Sequence, residues 1–325
     1  MKLRAPGKVF LAGEYAVLER GRPALVVGID RFLEAIVEPA QKISIAHRGI
    51  VWDGGPAPPE LRFAVRAVRL AKPLNPFRLT YENELAIAGK KLGLGGSAAA
   101  TVLAVRAARP DLGPSETLVL ALAAHWIEQG GSGSGGDVAA STLGGVLRVT
   151  GRIPWRSAEE AMALPLEELL NTNPIDARQL SIPSDLRLLL AFTGEPADTR
   201  VLVRQVRALA AGNGPRWRVC EAAITQACEA LSGALETGQR EQALQAVRAG
   251  AAAMAQLGEA AGAPIVTEAL AEACAIASAA GAAAKPSGAG GGDCAVVLAF
   301  GDEALDRADA ALKPHFETFR VAPAC

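Results

Sequence analysis

The sequence has few aromatic residues and few histidines. Of its 325 residues only 4% are aromatic, although 50% are hydrophobic, largely because alanine is abundant. Helices that pack through small side chains are therefore expected to dominate. The histidines, His47, His125 and His315, are too few and too far apart for a histidine-rich metal site. His125 lies on the apolar face of a predicted helix, where a buried and hydrogen-bonded role is favoured.

Cysteine pairs, long apolar runs and an excess of either charge are also missing. The five cysteines form no CxxC pair and are odd in number, which argues against a disulfide framework or a zinc site and favours a reduced, cytoplasmic compartment. No stretch approaches the roughly 18 apolar residues of a membrane span. Gly13 and Glu14 leave the apolar segment near the N-terminus too short for a signal peptide. The net charge of −1 argues against binding to nucleic acid or to an anionic membrane.

Three glycine-rich segments, each carrying a hydroxyl or a carboxylate, are what the sequence does have. We call GLGGSAAA (93–100) the first glycine loop, GGSGSGGD (130–137) the second and KPSGAGGGD (285–293) the third. Because glycine lacks a Cβ atom, the backbone N–H groups of such loops can come close to an anion. The first loop runs into a predicted helix whose N-terminus favours a phosphate. Together with Lys8, the loops indicate a protein that handles a polyphosphate and transfers part of it.

Each loop also has a structural alternative. The first loop is neither a Walker A loop, because it lacks the lysine, nor a dinucleotide fingerprint, because the glycine spacing differs. Ser97 is either a helix cap or a ligand of a Mg²⁺ ion that bridges two phosphates. Asp137 is either an N-cap or the group that orients or deprotonates an acceptor, with Lys8 offsetting the charge on the transferring group. The third loop has more glycines than a turn requires, which favours close approach to a ligand.

The pattern of apolar residues predicts an α+β chain of two domains, at residues 1–182 and 183–325. Strands predominate in the first 90 residues, and Ser115 is the predicted N-cap of a later helix. The segment 152–185 is predicted to be a connection with one short helix. Other predicted helices cover 59–72, 97–108, 115–129, 199–211, 216–236, 239–257, 266–280 and 302–312, and predicted strands include 145–149, 186–192, 295–300 and 316–321.

In order and spacing, these segments resemble the three motifs of the GHMP kinase superfamily, which includes galactokinases, homoserine kinases, mevalonate kinases and phosphomevalonate kinases. APGKVFLAGEYAVL (5–18) resembles the first motif, the first glycine loop the second, and KPSGAGGGDCAVVL (285–298) the third. The resemblance covers nearly the whole chain. It implies an N-terminal ATP-binding domain similar to domain 2 of ribosomal protein S5, a ferredoxin-like C-terminal domain, and ATP with Mg²⁺ held by the second motif.

The resemblance also implies roles for individual residues. Lys8 and Asp137 would be the catalytic pair, and Ser97 would bind the metal. Gly96 stands where the motif usually has a first serine, so Ser97 is the main hydroxyl expected to bind the metal. In some relatives a glutamate also binds the metal, but Glu128 does not match its spacing. The residues expected at the phosphates are Gly93, Leu94, Gly95, Gly96, Ser97 and Ala98. Those expected to line the acceptor site are Glu14, Tyr15, Ser134, Ser287 and Gly288.

Within the superfamily, the second glycine loop most resembles that of the phosphomevalonate kinases. Gly133 and Val138 stand where mevalonate kinases usually have a proline and an asparagine. This resemblance implies ATP-dependent phosphorylation of 5-phosphomevalonate, a step of isoprenoid precursor synthesis, by a monomer or a homodimer. The alternatives are a mevalonate kinase or another small-molecule kinase of the superfamily, a diphosphomevalonate decarboxylase, and a non-catalytic ATP-binding sensor.

A phosphate acceptor would change what the catalytic pair must do. A phosphomonoester has its second pKa near 6, so it already offers an oxyanion at pH 7 and Asp137 need not be a base. Cations would instead reduce the repulsion between two phosphates. Arg148, Lys90 and Lys91 lie close in sequence to the loops and are candidates for that role, although solvated surface roles are as well supported.

Overall fold

Two sheets, one in each half of the chain, organise the structure, a computed structural model. It describes residues 1–87, 90–91, 93–194 and 198–324, with the backbone alone at 86–87 and 90–91. The strands are β1 (Lys2–Ala12), β2 (Pro23–Pro39), β3 (Ser44–His47), β4 (Ile50–Trp52), β5 (Phe77–Tyr81), β6 (Ala86–Ile87), β7 (Lys90–Lys91), β8 (Val146–Gly151), β9 (Ile175–Gln179), β10 (Leu186–Phe192), β11 (Ala283–Pro286), β12 (Cys294–Phe300) and β13 (Glu317–Val321). The helices are α1 (Arg62–Ala71), α2 (Gly96–Ala108), α3 (Pro114–Glu128), α4 (Gly136–Leu143), α5 (Ala158–Ala163), α6 (Leu166–Leu170), α7 (Thr199–Gly212), α8 (Gly214–Glu236), α9 (Arg240–Ala261), α10 (Glu268–Ala279) and α11 (Asp302–Leu312).

The first sheet is built around the long strand β2. Its strand order is β4-β3-β5-β2-β8-β9, and β1 also pairs with β2. Because β2 is 17 residues long, its start pairs with β8, its end pairs with β5, and β1 pairs along most of its length. Helices α2 and α4 pack on β1 and β2, while α1 and α3 pack on α2. Helix α2 is therefore enclosed on most sides, which explains why its sequence is apolar nearly all round.

The second sheet has the ferredoxin-like strand order. Strands β11, β12, β10 and β13 follow one another across the sheet, and each neighbouring pair is antiparallel. Leu188 and Leu190 of β10 face a core shared with the first sheet, whereas Leu189 and Ala191 face α10 and α11. Burial on both faces accounts for the continuous apolar run of this strand. The predicted α+β fold with a ferredoxin-like second unit is confirmed.

Two predictions about the first half were wrong. The N-cap of α3 is Gly113, followed by Pro114, and the Glu116 carboxylate accepts a hydrogen bond from Gly113 N at 2.9 Å. Ser115 therefore lies inside the first turn and does not cap it. The segment 152–185 contains two short helices and strand β9, which extends the first sheet by pairing with β8. Strand β9 escaped prediction because it is an edge strand with only one buried residue, so it carries no apolar alternation.

The other predicted helices and strands are confirmed, with ends shifted by a few residues. The predicted domain boundary after residue 182 falls between β9 of the first sheet and β10 of the second, and it stays a prediction.

The end of the chain returns to the first sheet. Asp30 N donates to Ala322 O at 2.9 Å, and Ala324 N donates to Gly28 O at 2.7 Å. Helix α8 packs on β2, and α9 packs on β11 and β12. One buried apolar cluster consequently runs through both halves.

A buried ion pair joins the two halves beside strand β1. Glu14 follows β1 and Lys285 lies in β11, and their side chains are 4% and 1% exposed. Lys285 Nζ donates to Glu14 Oε1 and to the carbonyl of Pro286. Among the described residues, Glu14 Oε2 has no hydrogen-bond partner. Since a buried charge is costly without its counter-ion, this pair requires both halves to dock in one arrangement.

We expect Lys285→Met to lower the free energy of unfolding by about 3–5 kcal/mol, because it leaves a buried carboxylate unpaired. The double variant Glu14→Gln/Lys285→Met should recover much of that loss, since neither charge is then buried. Urea unfolding at pH 7 measures both. Lys42→Met, which removes an exposed ion pair with Asp53, serves as the control and should unfold like the wild type. A wild-type midpoint for Lys285→Met would show that the pair does not hold the halves together.

Candidate active site

Strand β1 contacts the first and third glycine loops. Lys8 N donates to Leu94 O at 2.8 Å, and Lys8 Nζ donates to Gly93 O at 2.8 Å. The Ser287 hydroxyl accepts from Phe10 N at 3.1 Å and donates to Phe10 O at 3.3 Å. The backbone groups of Lys8 and Phe10, which share one side of the strand, thus bond to two loops that lie nearly 200 residues apart in sequence. All three predicted motifs meet here, because β1 lies in the first of them.

The second glycine loop approaches the same strand. A Cβ atom added at Gly136 would lie 3.2 Å from Cζ of Phe10, and Lys8 Nζ lies 5.6 Å from the centre of the Phe10 ring. Helix α4 begins at Gly136 and its N-cap is Gly135, at φ 77°. All three loops therefore converge around Lys8 and Phe10.

Glycine is required where the first loop turns into helix α2. Gly93 and Gly95 have φ values of 66° and 83°, and a Cβ atom there would lie 2.6 Å from Asp293 Oδ2 and 2.8 Å from Lys8 Cγ, respectively. The N-cap of α2 is Gly95, which has no side chain to cap the first turn, so the N–H groups of Gly96 and its successors are left at the helix N-terminus. A glycine cradle at an uncapped helix N-terminus fits a phosphate group. The structure thus has the backbone that the predicted nucleotide site needs.

Ser97 and Asp137 both approach one nitrogen of the His125 imidazole. Ser97 is in the first turn of α2, His125 is on α3 and Asp137 is in the first turn of α4. Ser97 Oγ lies 3.1 Å from His125 Nε2, which in turn lies 3.9 Å from Asp137 Oδ2. The N-caps of α2 and α4 are Gly95 and Gly135. The N-cap alternatives for Ser97 and Asp137 are therefore wrong, although Asp137 Oδ1 accepts from Val138 N at 2.9 Å within the first turn of α4.

The electrostatics of the site are dominated by one cation among carboxylates. Burial lowers the pKa of Lys8 from its ordinary value, and the nearby carboxylates of Asp137, Asp293 and Glu14 oppose that shift. Burial likewise lowers the pKa of His125, against the opposing charge of Asp137, so the imidazole is neutral at pH 7. Phosphates would pair with the Lys8 ammonium, and a metal cation would pair with the carboxylates. The site therefore favours a ligand that brings both.

Glu14 and Tyr15, predicted to line the acceptor site, are buried in the structure. Glu14 pairs with Lys285 as described, and the Tyr15 hydroxyl donates to Ala289 O at 2.5 Å. The Tyr15 side chain packs in an apolar cluster with Leu202 of α7. Burial raises the pKa of Tyr15, so the hydroxyl keeps its proton as a donor. These positions favour a supporting role, and a direct contact with an acceptor stays a prediction.

The remaining predicted acceptor residues lie within the second and third glycine loops and are partly exposed. Ser134 Oγ accepts from Gly136 N at 3.3 Å, so the hydroxyl organises the start of α4. Ser287 is bonded to β1, and Gly288 follows it at φ 75°. Their contact with an acceptor also stays a prediction.

Sequence reasoning missed Asp293 and the role of His125. Asp293 has φ 51° and its carboxylate lies against Gly93, but its position inside a glycine loop gave no sign of that contact. His125 was predicted to be buried and hydrogen-bonded, which is confirmed at 2% exposure. Its partner, Ser97, is 28 residues away, and no local spacing could identify it.

Other candidate charges are engaged elsewhere. Arg148 Nη2 lies 2.7 Å from Glu229 Oε1 of α8, so it joins the two halves instead of facing the loops. Glu128 Oε2 accepts from Arg66 Nε at 3.2 Å, away from Ser97. The side chains of Lys90 and Lys91 lie outside the described residues. Within the described part of the chain, no group of three histidine, cysteine or acidic side chains is placed to hold a metal.

A metal here would therefore depend on ligand phosphates and the Ser97 hydroxyl, which suits Mg²⁺. No helix in the described part of the chain is long and apolar enough to cross a bilayer.

Comparisons with known proteins agree with this geometry. Residues 61–145 match the family model of the GHMP kinases N terminal domain, and residues 223–318 match that of the GHMP kinases C terminal domain. The chain is 32% identical to a phosphomevalonate kinase of Streptomyces sp. (strain CL190), with 98% of this chain and 94% of that protein covered. The chain belongs to the GHMP kinase family.

Solved structures share the fold over the whole chain. The Lin0012 protein from Listeria innocua superposes with a TM-score of 0.90 at 25% identity, covering 99% of both chains. The Streptococcus pneumoniae phosphomevalonate kinase in complex with phosphomevalonate and AMPPNP superposes with a TM-score of 0.87 at 23% identity, covering 100% of both chains. The two-domain arrangement predicted from the motifs is thus the fold of this protein.

The glycines at the start of α2 offer a matched pair of substitutions. Gly95→Ala should lower the free energy of unfolding by about 1–2 kcal/mol, because an L-residue is strained at a left-handed φ and the new Cβ meets Lys8. Gly96→Ala should raise it by about 0.5 kcal/mol, because no described atom lies within 4 Å of its Cβ position. Urea unfolding without nucleotide tests both. Equal effects would contradict the assignment of the close approach to Gly95.

Proposed function

We propose that the protein transfers the γ-phosphoryl group of ATP to 5-phosphomevalonate and forms 5-diphosphomevalonate and ADP. The observation that carries the proposal is the convergence of the three glycine loops on β1, which brings Lys8, Ser97 and Asp137 to one site. The relative from Streptomyces supports the choice of acceptor through its name. The bound phosphomevalonate and AMPPNP of the S. pneumoniae enzyme show that this fold accommodates such a pair of ligands.

The residues of the first loop would bind the nucleotide phosphates. The N–H groups at the start of α2, which include those of Gly96, Ser97 and Ala98, would accept the negative charge. Bound Mg²⁺ would supply charge neutralisation of the phosphates during transfer. In this chain the Ser97 hydroxyl is the group placed to hold that metal, and Gly96 contributes its backbone only.

Lys8 would stabilise the charge of the transferring group, and Asp137 would position the acceptor. The Lys8 ammonium, held by Gly93 O, would offset the charge of the transferring group without having to move. Since the acceptor phosphate is already an oxyanion at neutral pH, Asp137 would orient its neighbours and the acceptor, with no proton to remove. A cytoplasmic location and a monomeric or homodimeric state stay predictions from the sequence.

An acceptor panel tests the proposal. With ATP and Mg²⁺, we expect ADP release to depend on phosphomevalonate, and to be weaker by about 100-fold or more with mevalonate, homoserine or galactose, because groups built for a phosphate would be left unpaired. A coupled assay measures ADP, and ³¹P spectra of the product should show a diphosphate. A preference for mevalonate would make the protein a mevalonate kinase. Nucleotide binding without turnover of any acceptor would make it a sensor.

The division of labour between Lys8 and Asp137 is separately testable. Lys8→Met should lower kcat by about 10²–10³-fold, the usual loss on removing one preorganised charge-stabilising group. Asp137→Asn should lower it less, and its pH–rate profile should keep the acidic limb, which belongs to the acceptor phosphate. Lys2→Met, at the exposed end of the same strand, is the matched control and should behave like the wild type. A larger loss in Asp137→Asn, together with a vanished acidic limb, would identify Asp137 as a base and favour an alcohol acceptor.

A further inference from the structure

We propose that His125 is a positioning residue that holds the Ser97 hydroxyl in the orientation needed to bind the metal of the nucleotide. The inference rests on the ATP-dependent activity proposed above, but not on the identity of the acceptor. It concerns a contact between α2 and α3 behind the first glycine loop.

The imidazole of His125 is held rigidly. The side chain is 2% exposed, and its ring stacks at a tilt on Phe63 of α1, with 4.8 Å between ring centres. Its Nε2 atom lies 3.1 Å from Ser97 Oγ. Asp137 Oδ2, at 3.9 Å from the same nitrogen, is beyond hydrogen-bond distance. The hydroxyl of Ser97 is therefore the hydrogen-bond partner that faces Nε2.

That contact restricts how Ser97 presents its oxygen. A serine hydroxyl has one proton and two acceptor sites, and its χ1 angle otherwise selects among three staggered positions. A bond to a fixed Nε2 selects one of them, whichever of the two atoms carries the proton. The Ser97 backbone is itself held, because Thr101 Oγ1 donates to Ser97 O at 2.7 Å. The oxygen is thus fixed from both the main chain and the side chain.

The orientation matters because this chain offers the metal few alternatives. Gly96 has no hydroxyl, and Glu128 is committed to Arg66 of α1. Because the Ser97 hydroxyl would touch the metal directly, a wrong rotamer at Ser97 would lower the affinity for the metal. Groups that orient a metal ligand commonly influence affinity by about 10–100-fold.

Calorimetric titration of Mg²⁺ with AMPPNP, in the absence of any acceptor, separates this role from a purely structural one. His125→Leu removes the hydrogen bond and should weaken Mg²⁺-dependent AMPPNP binding by about 10-fold. His125→Gln, whose amide nitrogen reaches nearly the Nε2 position, should recover most of the loss. His47→Leu changes a partly buried histidine outside the site and should bind as the wild type does.

A double-mutant cycle with Ser97→Ala gives the decisive comparison. If His125 acts through the Ser97 hydroxyl, Ser97→Ala/His125→Leu should bind no more weakly than Ser97→Ala alone. Effects that multiply, or wild-type binding by His125→Leu, would overturn the inference. If His125→Leu does not fold, His125→Asn, whose shorter amide cannot reach Ser97, takes its place with the same expected loss.

The result is also separable from the proposed function. A preserved coupling between Ser97 and His125, combined with no turnover of phosphomevalonate, would leave the inference standing and refute the acceptor. Turnover of phosphomevalonate without the coupling would do the reverse.

Discussion

The buried pair of Glu14 and Lys285 is the constraint on which the site depends. It links Glu14, two residues past the end of β1, to Lys285 of β11, the first residue of the third glycine loop. Two further contacts join the same two halves of the chain, one between Tyr15 and Ala289 and one between Ser287 and Phe10. Because an unpaired charge at this depth would be costly, the two halves are held in register, and Lys8 on the same strand is placed accordingly.

Ion pairs from helix α8 also hold the two halves of the chain together. Glu221, Glu229 and Glu236 lie about two turns apart, and they pair in turn with arginines of the first half. The partly exposed pairs of Glu229 and Glu236 contribute little individually, but together with the buried carboxylate of Glu221 the row selects one register of the helix on the sheet. Arg148 belongs to this row, which explains why its closeness in sequence to the loops was a poor guide to its role.

Close packing of backbone distinguishes the glycine loops from ordinary turns. In the third loop, a Cβ at Gly290 would lie 2.1 Å from Ile265 O, and Gly291 N donates to that oxygen at 2.8 Å. In the first loop, Gly95 lies against the Lys8 side chain. Some of these glycines therefore serve contact with the protein itself, and others, such as Gly96, keep space open for a ligand. The division between these two uses follows from the tertiary contacts alone.

The sequence by itself determined the α+β fold, most helices and the identity of the groups that converge at the site. Those features depend on apolar periodicity, on glycine clusters and on short motifs, all of which are local. It did not reveal β9, whose edge position leaves no alternation, or the cap of α3, which depends on a carboxylate reaching back to Gly113. Nor could it show that Glu14 would be buried with a lysine, or that Ser97 and Asp137 would both approach Nε2 of His125. The last two contacts join residues far apart in the chain. The docking of the two halves decides the first of them, and the packing of α2, α3 and α4 on one another decides the second.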